Sequence, residues 1–202
     1  MTRAFLAGAT GVIGIRLVPL LVGAGHEVAG MTRSHDKAAQ IDALGAQPVI
    51  CDAFHTASLL DAVSAFAPDL VMHQLTDLPD NVDQIPGYAK RNNRIRTEGT
   101  RNLLAAADAA GARRTLAQSI AWAPPGSGEA VAEHERQVLD ASGVVVRYGQ
   151  LYGPGTYYPD DLPPPPRIHV DDAARRTSAL LGAPSGIMVL TDDDDGVSNL
   201  AQ

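Results

Sequence analysis

The chain has 202 residues, 45% of them hydrophobic, which is enough to bury one substantial core and fits a single domain over residues 1–202. Its formal net charge is −7 and it has no basic run, which argues against nucleic acid and anionic membranes as partners. The only cysteine, Cys51, cannot form an internal disulfide, and no apolar run approaches the roughly 20 residues of a membrane-spanning helix. We therefore expect a soluble protein of the reducing cytoplasm.

Short apolar runs rich in valine, leucine and isoleucine alternate with longer segments of helical spacing. The runs suit strands buried on both faces and lie at residues 3–7, 27–31, 48–51, 70–73, 115–118, 144–147 and 187–190. The helical segments are 12–22, 36–44, 58–66 and 93–110, and Gly25, Gly45 and Gly111 follow three of them as left-handed capping residues. Proline-rich residues 123–128 and 157–166 are predicted loops. This alternation predicts an α/β fold with a doubly wound parallel sheet of about seven strands.

Glycine recurs at every third position where the first strand meets the first helix. Gly8 permits a tight turn, Gly11 lets the backbone approach a pyrophosphate, and Gly14 lets the helix pack closely on the strand. The helix N-terminus adds unpaired N–H groups and the positive end of its dipole. The segment Gly8-Ala9-Thr10-Gly11-Val12-Ile13-Gly14 therefore predicts a dinucleotide phosphate loop, and the alternative is a tight turn without a ligand.

This glycine spacing resembles that of the short-chain dehydrogenase/reductase superfamily, in its extended and atypical branches related to NAD-dependent epimerases and dehydratases. Other segments resemble the same family in their order and spacing, namely VICD at 49–52, VMHQLT at 71–76, EGTRNLL at 98–104, QS at 118–119, RYGQLYGP at 147–154 and IHVDD at 168–172. The resemblance covers nearly the whole chain. It implies a Rossmann fold and an oxidoreductase that acts on a small carbonyl or hydroxyl substrate.

The residues after the second strand indicate which dinucleotide is bound. A cofactor without a 2′-phosphate usually requires an acidic residue about 20 positions beyond the loop. This chain has Arg33 and Ser34 there, a planar charged fork and a hydroxyl that suit a phosphate. NADP(H) is therefore favoured over NAD(H), although Asp36 lies nearby and Arg33 is alternatively a solvated residue at a strand end.

The resemblance implies further cofactor contacts after the third and fourth strands. It places Asp52 and Ala53 beside the adenine, and for Asp52 the alternative is a helix cap or turn residue. It places three residues along the cofactor where open α/β sheets bind ligands, namely Gln74, Leu75 and Thr76. His73, on a predicted buried strand, is interpreted as a hydrogen-bonded core histidine rather than a catalyst.

The catalytic Tyr-x-x-x-Lys pair of the family is absent from this chain. The only lysines are Lys37 and Lys90, and the residues four positions earlier are Arg33 and Pro86. In the family the lysine lowers the tyrosine pKa so that the phenol can exchange a proton with the substrate. Proton transfer must therefore use other groups if it occurs here.

Alignment on the pair at 135–136 puts Ser127 at the tyrosine position and Val131 at the lysine position. Ser119 matches the family serine that hydrogen-bonds a substrate carbonyl or hydroxyl, and its alternative role is to satisfy backbone groups at a strand end. Four tyrosines are further phenol candidates, although tyrosines near prolines more often simply pack, and these are Tyr148, Tyr152, Tyr157 and Tyr158.

Neither the histidines nor the acidic residues predict a metal site. The six histidines lack ligand spacing, since His134 is flanked by glutamates that cannot share its helix face. The acidic run at 192–195 is interpreted as a solvated turn. Asp171 and Asp172 are interpreted as the cap of a helix that begins near Ala173.

The substrate side of the family fold is shortened after about residue 150. The interval at 155–167 is largely proline, and few residues follow Leu190. Three hypotheses are therefore open: an atypical NADP(H)-dependent oxidoreductase, a non-redox isomerase, dehydratase or cyclase on the same scaffold, and a noncatalytic protein that binds a dinucleotide or a partner. A homodimer would cover the apolar surface that the shortening leaves.

Overall fold

The computed structural model describes residues 1–122, 126–193 and 198–199. The strands are β1 (Arg3–Ala7), β2 (Glu27–Thr32), β3 (Gln47–Ile50), β4 (Leu70–His73), β5 (Arg114–Ile120), β6 (Val144–Tyr148), β7 (Gln150–Tyr152), β8 (Arg167–His169), β9 (Gly186–Leu190) and β10 (Ser198–Asn199). The helices are α1 (Gly14–Gly23), α2 (His35–Ala43), α3 (Thr56–Phe66), α4 (Ile85–Arg94), α5 (Thr100–Ala109), α6 (Gly128–Asp140) and α7 (Val170–Ser178), with a 3-10 turn at Val82–Gln84 and a π-helical turn at Ile95–Gly99.

Eight strands form one sheet in the order β10-β9-β6-β5-β4-β1-β2-β3. Seven are parallel, and β10 pairs antiparallel with β9 at the edge. The predicted doubly wound sheet of about seven strands is therefore confirmed, with one short strand added. The separate parallel pair of β7 and β8 was not predicted, because each of its strands has only three residues.

The core lies on both faces of this sheet, as the apolar strands require. In β1, Ala4 and Leu6 point to the side covered by α1 and α7, whereas Phe5 and Ala7 point to the side covered by α3 and α5. Successive side chains of a strand point to opposite faces, so an uninterrupted apolar strand needs helices on both. Leu6 and Phe5 are fully buried, and each contributes roughly 1.5–3 kcal/mol of transfer free energy.

The strand order reverses between β1 and β4. From β1 the chain moves outwards to β2 and β3, then returns to the other side of β1 as β4 and continues to β5 and β6. The loops that leave the carboxyl ends of β1 and β4 therefore diverge, which opens a crevice between them. Such a crevice is the usual ligand site of an open α/β sheet.

Helix ends follow the predicted glycines, but one helix differs from the prediction. Gly25, Gly45 and Gly111 have φ of +80°, +83° and +71°, which confirms them as left-handed caps. The helix predicted at 93–110 starts earlier, as α4, and is interrupted by the π-helical turn. Pro86 fits in the first turn, where its missing N–H has no helical acceptor. The only buried residue of α4 is Asn92, so this helix shows no apolar period in the sequence.

The cap of α7 corrects a second prediction. The helix begins at Val170, and His169 caps it by accepting a hydrogen bond from the N–H of Asp171 through Nδ1, at 3.3 Å. Asp171 and Asp172 thus lie in the first turn, where their charges favour the helix dipole. Residues 157–166 contain no helix or strand, as predicted. Residues 123–125 of the other predicted loop, and 194–195 of the acidic run, lie outside the described residues.

Among the described helices, none is long and apolar enough to cross a membrane.

Candidate cofactor and substrate cleft

A cleft of about 1190 Å³ opens at the carboxyl ends of strands β1 to β5. Twelve of the residues predicted from the sequence line it, namely Gly8, Thr10, Gly11, Val12, Arg33, Ser34, Asp52, Ala53, Gln74, Leu75, Thr76 and Ser119. Ile13 and Gly14 do not line the cleft, because Ile13 packs into the core beside α1 and Gly14 is the first residue of that helix. The fold thus brings residues from five strand ends to one site.

The phosphate loop is held in place by close backbone packing. Gly8 has φ of +91°, and a Cβ atom there would lie 2.6 Å from the carbonyl oxygen of Gln74. A Cβ atom on Gly14 would lie 2.8 Å from the Cα of Ala9 and still closer to the Gly8 oxygen. Gly11 lines the cleft, and a Cβ atom there would lie 3.3 Å from the Gly8 oxygen. These glycines form a cradle that side chains would fill, which fits a bound diphosphate.

The far end of the cleft, after β2, carries positive charge. Arg33 is half-exposed and approaches Asp77 at 3.9 Å, but the Asp77 carboxylate is already held by two hydrogen bonds from Arg91, at 3.0 and 3.1 Å. Ser34 precedes α2 with an extended backbone, and its hydroxyl makes no capping hydrogen bond. Lys37, in the first turns of α2, lines the cleft as well. Lys37 was not predicted as a cofactor residue, although a lysine three positions after Ser34 lies close enough in the sequence to bind the same phosphate.

Asp52 takes the alternative role that the sequence left open. Its Oδ1 accepts a hydrogen bond from the N–H of Phe54 at 2.9 Å, which makes it a turn residue after β3. It also lines the cleft. Ala53 is buried beside it, and its carbonyl accepts from the amide of Asn102 at 2.8 Å.

A buried chain of hydrogen bonds fixes the loops after β4 and β5. His73 accepts the Leu75 N–H through Nδ1 at 3.2 Å, so its Nε2 donates to the Thr100 hydroxyl at 3.1 Å. Thr100 in turn donates to Nδ1 of His134 at 2.7 Å, and His134 donates through Nε2 to the Gln118 carbonyl at 2.9 Å. His73 is therefore the hydrogen-bonded core histidine that the sequence predicted.

Both imidazoles are held in the neutral form. Burial lowers the pKa of His73 well below its ordinary value, and neighbouring His134 lowers it further. Burial also lowers the pKa of His134. Neutral rings keep the donor and acceptor order of this chain, which positions Leu75 and Gln118 at the cleft.

Ser119 belongs to a second network, which uses its proton. Its Oγ donates to Oε1 of buried Glu135 at 2.6 Å, and Arg147 donates to both carboxylate oxygens of Glu135 at 2.8 and 2.5 Å. Burial opposes ionisation of Glu135, but the hydrogen bonds from Arg147 and Ser119 outweigh it and lower its pKa. Ser119 therefore neither caps backbone nor presents a free donor; its oxygen can accept a hydrogen bond from a ligand.

The tyrosines differ in what they can do. The Thr177 hydroxyl donates to the Ala173 carbonyl, so Tyr148 donates to Thr177 at 2.7 Å, and burial raises the pKa of Tyr148 to about 12, which disfavours loss of its proton. Tyr152 donates to Asp192 and does not line the cleft, and Tyr157 donates to the Pro79 carbonyl. Tyr158 lines the cleft.

The start of α6 carries the two residues that the sequence alignment puts at the family's tyrosine and lysine positions. Ser127, aligned with the tyrosine, is buried at the cleft wall, and Val131, aligned with the lysine, is not part of that wall. A serine hydroxyl cannot replace an activated phenol, so the cleft lacks the family's acid at the place where it is expected.

A family model described as NAD(P)H-binding matches residues 8–144. The chain belongs to this family. A 3-diazoavenalumate denitrifying reductase from a Streptomyces species is 39% identical over 236 residues, which cover 95% of this chain and 76% of that protein. The match supports an NAD(P)-dependent oxidoreductase-like function.

Solved structures with the same fold belong to NAD-dependent enzymes. The Bordetella bronchiseptica enzyme WbmH in complex with NAD⁺ has a TM-score of 0.76 at 18% identity, covering 98% of this chain and 77% of that one. UDP-glucose 4-epimerase from Thermus thermophilus in complex with NAD has a TM-score of 0.77 at 18% identity, covering 96% and 79%. These neighbours confirm the Rossmann fold.

This chain is shorter than the Streptomyces reductase that it matches. Their alignment spans 236 positions, whereas this chain has 202 residues, so at least 34 positions (236 − 202) have no counterpart here. The positions that line the cofactor half of the cleft all lie within or beside the matched residues 8–144.

Proposed function

We propose that this chain is an NADP(H)-dependent oxidoreductase that transfers a hydride between the nicotinamide and a small substrate. The observation that carries the proposal is the cleft of about 1190 Å³ that extends from the glycine cradle to Ser119. Ligand sites for drug-sized molecules occupy roughly 300–1,000 Å³, so this cleft can hold a dinucleotide and a small substrate together. Its position at the reversal of strand order supports the same assignment.

The preference for NADP(H) rests on the charges after β2. Arg33, Ser34 and Lys37 line one end of the cleft, where α2 begins and its first N–H groups point outwards. A phosphate there would meet a guanidinium fork, an ammonium, a hydroxyl and a helix N-terminus. Asp36 is the acidic residue nearest the position at which a carboxylate would accept hydrogen bonds from the ribose of NAD(H), and it does not line the cleft.

The hydrogen bonds of the hydroxyl groups in the cleft favour a substrate whose reduction consumes no proton. When bound, NADPH supplies a hydride; reducing a carbonyl also consumes a proton, whereas replacing an arenediazonium group by hydrogen releases N₂ and consumes none. Glu135 holds the Ser119 proton, and Tyr148 and Tyr157 donate to protein oxygens. Of the phenol and hydroxyl candidates, Tyr158 alone lines the cleft without a described hydrogen bond from its hydroxyl, so a substrate that needs no acid suits the cleft better. The name of the Streptomyces reductase specifies a diazo substrate and a denitrifying reaction, which supports the same class for this chain.

The cofactor assignment is tested by titrating NADPH and NADH while following the fluorescence of Trp122, the only tryptophan, which lines the cleft. We expect saturable quenching, with NADPH binding at least about tenfold more tightly than NADH, because a charge-assisted phosphate contact contributes roughly 1.5–3 kcal/mol. Arg33→Ala should remove the preference, and Arg136→Ala, an exposed control on α6, should retain it. Failure of both nucleotides to bind would overturn the proposal.

The chemistry is tested with NADPH carrying deuterium at C4 of the nicotinamide. Benzenediazonium and benzaldehyde serve as matched probes, and mass spectrometry follows deuterium into benzene or benzyl alcohol. We expect enzyme-dependent transfer to the diazonium ion to exceed transfer to the aldehyde. Transfer only to the aldehyde would support the carbonyl substrate expected from the family resemblance. Nucleotide binding without transfer to either probe would favour the non-redox or noncatalytic alternatives.

The proposal also covers the domain organisation, the oligomeric state and the location of the protein. We propose that residues 1–202 act as one NAD(P)-binding domain with abbreviated substrate-side elements after about residue 150. A homodimer is supported by exposed Leu78 and Val82 at the cleft wall and by exposed Leu162. The free and buried thiol of Cys51 supports a reducing, cytoplasmic location.

A further inference from the structure

Arg96 is a buried cation in the wall of the cleft. It is only 8% exposed, and it lies on the π-helical turn between α4 and α5. Within the described parts of the chain, its guanidinium makes no hydrogen bond and has no carboxylate oxygen within 4.0 Å. Arginine stays protonated in proteins, so burial cannot be relieved by loss of the charge. Since Arg96 lines the cleft and has no described carboxylate partner, its positive charge favours an anion bound in the cleft.

The neighbouring acid does not supply that anion. Glu135 is the nearest carboxylate that acts on Arg96, but its oxygens are already occupied by Arg147 and Ser119. The adjacent imidazoles of His73 and His134 are neutral. Arg96 and Arg147 therefore share one described carboxylate, Glu135, which is paired directly with Arg147 and leaves Arg96 without an ion pair.

The position of Arg96 separates it from the phosphate sites. Arg96 lies on the π-helical turn that packs on α6 and acts on Glu135, which binds Ser119 of β5. The glycine cradle follows β1 and Arg33 follows β2, and β4 lies between these two strands and β5. The cofactor's phosphates have their own groups at the other sites. The anion at Arg96 therefore belongs to another molecule.

We propose that Arg96 binds a carboxylate group of the substrate. The guanidinium fork matches the two oxygens of a carboxylate, and π-helical turns commonly place side chains at functional sites. Trp122, Tyr157 and Tyr158 line the same cleft, so an aryl carboxylate fits best. The inference rests on the proposed function, since the carboxylate would orient the reacting carbon beside the nicotinamide.

The test measures binding of small acids to the NADPH-saturated protein by calorimetry. Acetate, benzoate and cinnamate are the probes, and benzamide and cinnamamide are their neutral counterparts. We expect cinnamate to bind at least about tenfold more tightly than cinnamamide. Arg96→Met should lose that difference, and Arg96→Lys should retain part of it. Arg101→Met removes the same charge from an exposed position on α5 and should behave as wild type.

A structural role for Arg96 makes different predictions. An uncompensated buried charge disfavours the folded state, so Arg96→Met should melt at the same temperature as wild type or higher. Cinnamate should raise the melting temperature of wild type and leave that of Arg96→Met unchanged. A large fall in the melting temperature of Arg96→Met would assign Arg96 to the fold and overturn the proposal.

The remaining outcomes also discriminate. Equal binding of acids and amides, or no binding of any acid in the series, would overturn the proposal. If Arg96→Met instead weakens NADPH, the arginine serves the cofactor phosphates, and inorganic pyrophosphate should then compete at this site. The acid titration is repeated without nucleotide, so that loss of NADPH binding, which would defeat the proposed function, is distinguished from loss of the carboxylate site.

Discussion

Replacing Gly14 by alanine tests the packing that shapes the phosphate loop. The new Cβ would lie 2.8 Å from the Cα of Ala9, where 3.4 Å is ordinary contact, so the start of α1 must move by about 0.6 Å or more. Overpacking of this kind costs roughly 1–3 kcal/mol, and the colliding atoms here are backbone atoms that cannot rotate away. For a chain of this size, we expect the melting temperature to fall by about 2–12 °C.

The displacement should also weaken NADPH, because the loop N–H groups no longer converge on the diphosphate. Loss of one or two charge-assisted hydrogen bonds predicts an affinity about a hundredfold lower, measured by calorimetry below the melting temperature. Gly23→Ala, at the other end of α1, is the matched control. A Cβ there meets nothing within 4 Å, so that variant should gain roughly 0.5–1 kcal/mol and bind normally. If Gly14→Ala melted and bound like Gly23→Ala, the cradle would not be rigid and the reasoning would fail.

Three further predictions concern the buried networks. Glu135→Gln should lower the free energy of unfolding in urea by about 2–3 kcal/mol, since it leaves the partly exposed Arg147 unpaired. Adding Arg147→Met to this variant should recover most of the loss. Equal stability of the single and double variants would refute this. Thr100→Val leaves both imidazoles without their shared partner and should cost roughly 2–3 kcal/mol by the same assay, whereas a neutral result would mean the chain is not formed. The pKa values of His73 and His134 are lowered in the folded state, so the unfolded chain takes up protons on these residues first as the pH falls. The free energy of unfolding should therefore be constant above pH 6.5 and fall below it by about 1.4 kcal/mol per histidine per pH unit, until the folded pKa values are reached. Urea unfolding that showed no such loss would contradict the neutral assignment.

The sequence predicted the sheet well because each strand is a local feature. The apolar runs of β1 and β4 have the bounds that the structure shows, since both strands are buried on both faces. The start of helix α4 was not predicted, because its one buried residue is Asn92 and no apolar period marks the helix in the sequence. The cap of α7 was misplaced because His169, unlike aspartate, carries no strong capping signal.

The cofactor half of the cleft was more predictable than the substrate half. Glycines 8, 11 and 14 carry their roles in their spacing, because the turn and the helix start are adjacent in the chain. The pairing of Glu135 with Arg147 and Ser119 depends on how α6 packs over β5 and β6, which no spacing reveals. Arg96 was missed for the same reason, since its burial without a described partner is a property of the folded cleft.

A crystal structure of the chain with NADPH tests the central claim most directly. The account predicts the diphosphate against the backbone of residues 8–14, the 2′-phosphate within hydrogen-bonding distance of Arg33, and the nicotinamide in the part of the cleft that holds Ser119. A nucleotide bound elsewhere, or bound with its 2′-phosphate away from Arg33, would contradict it.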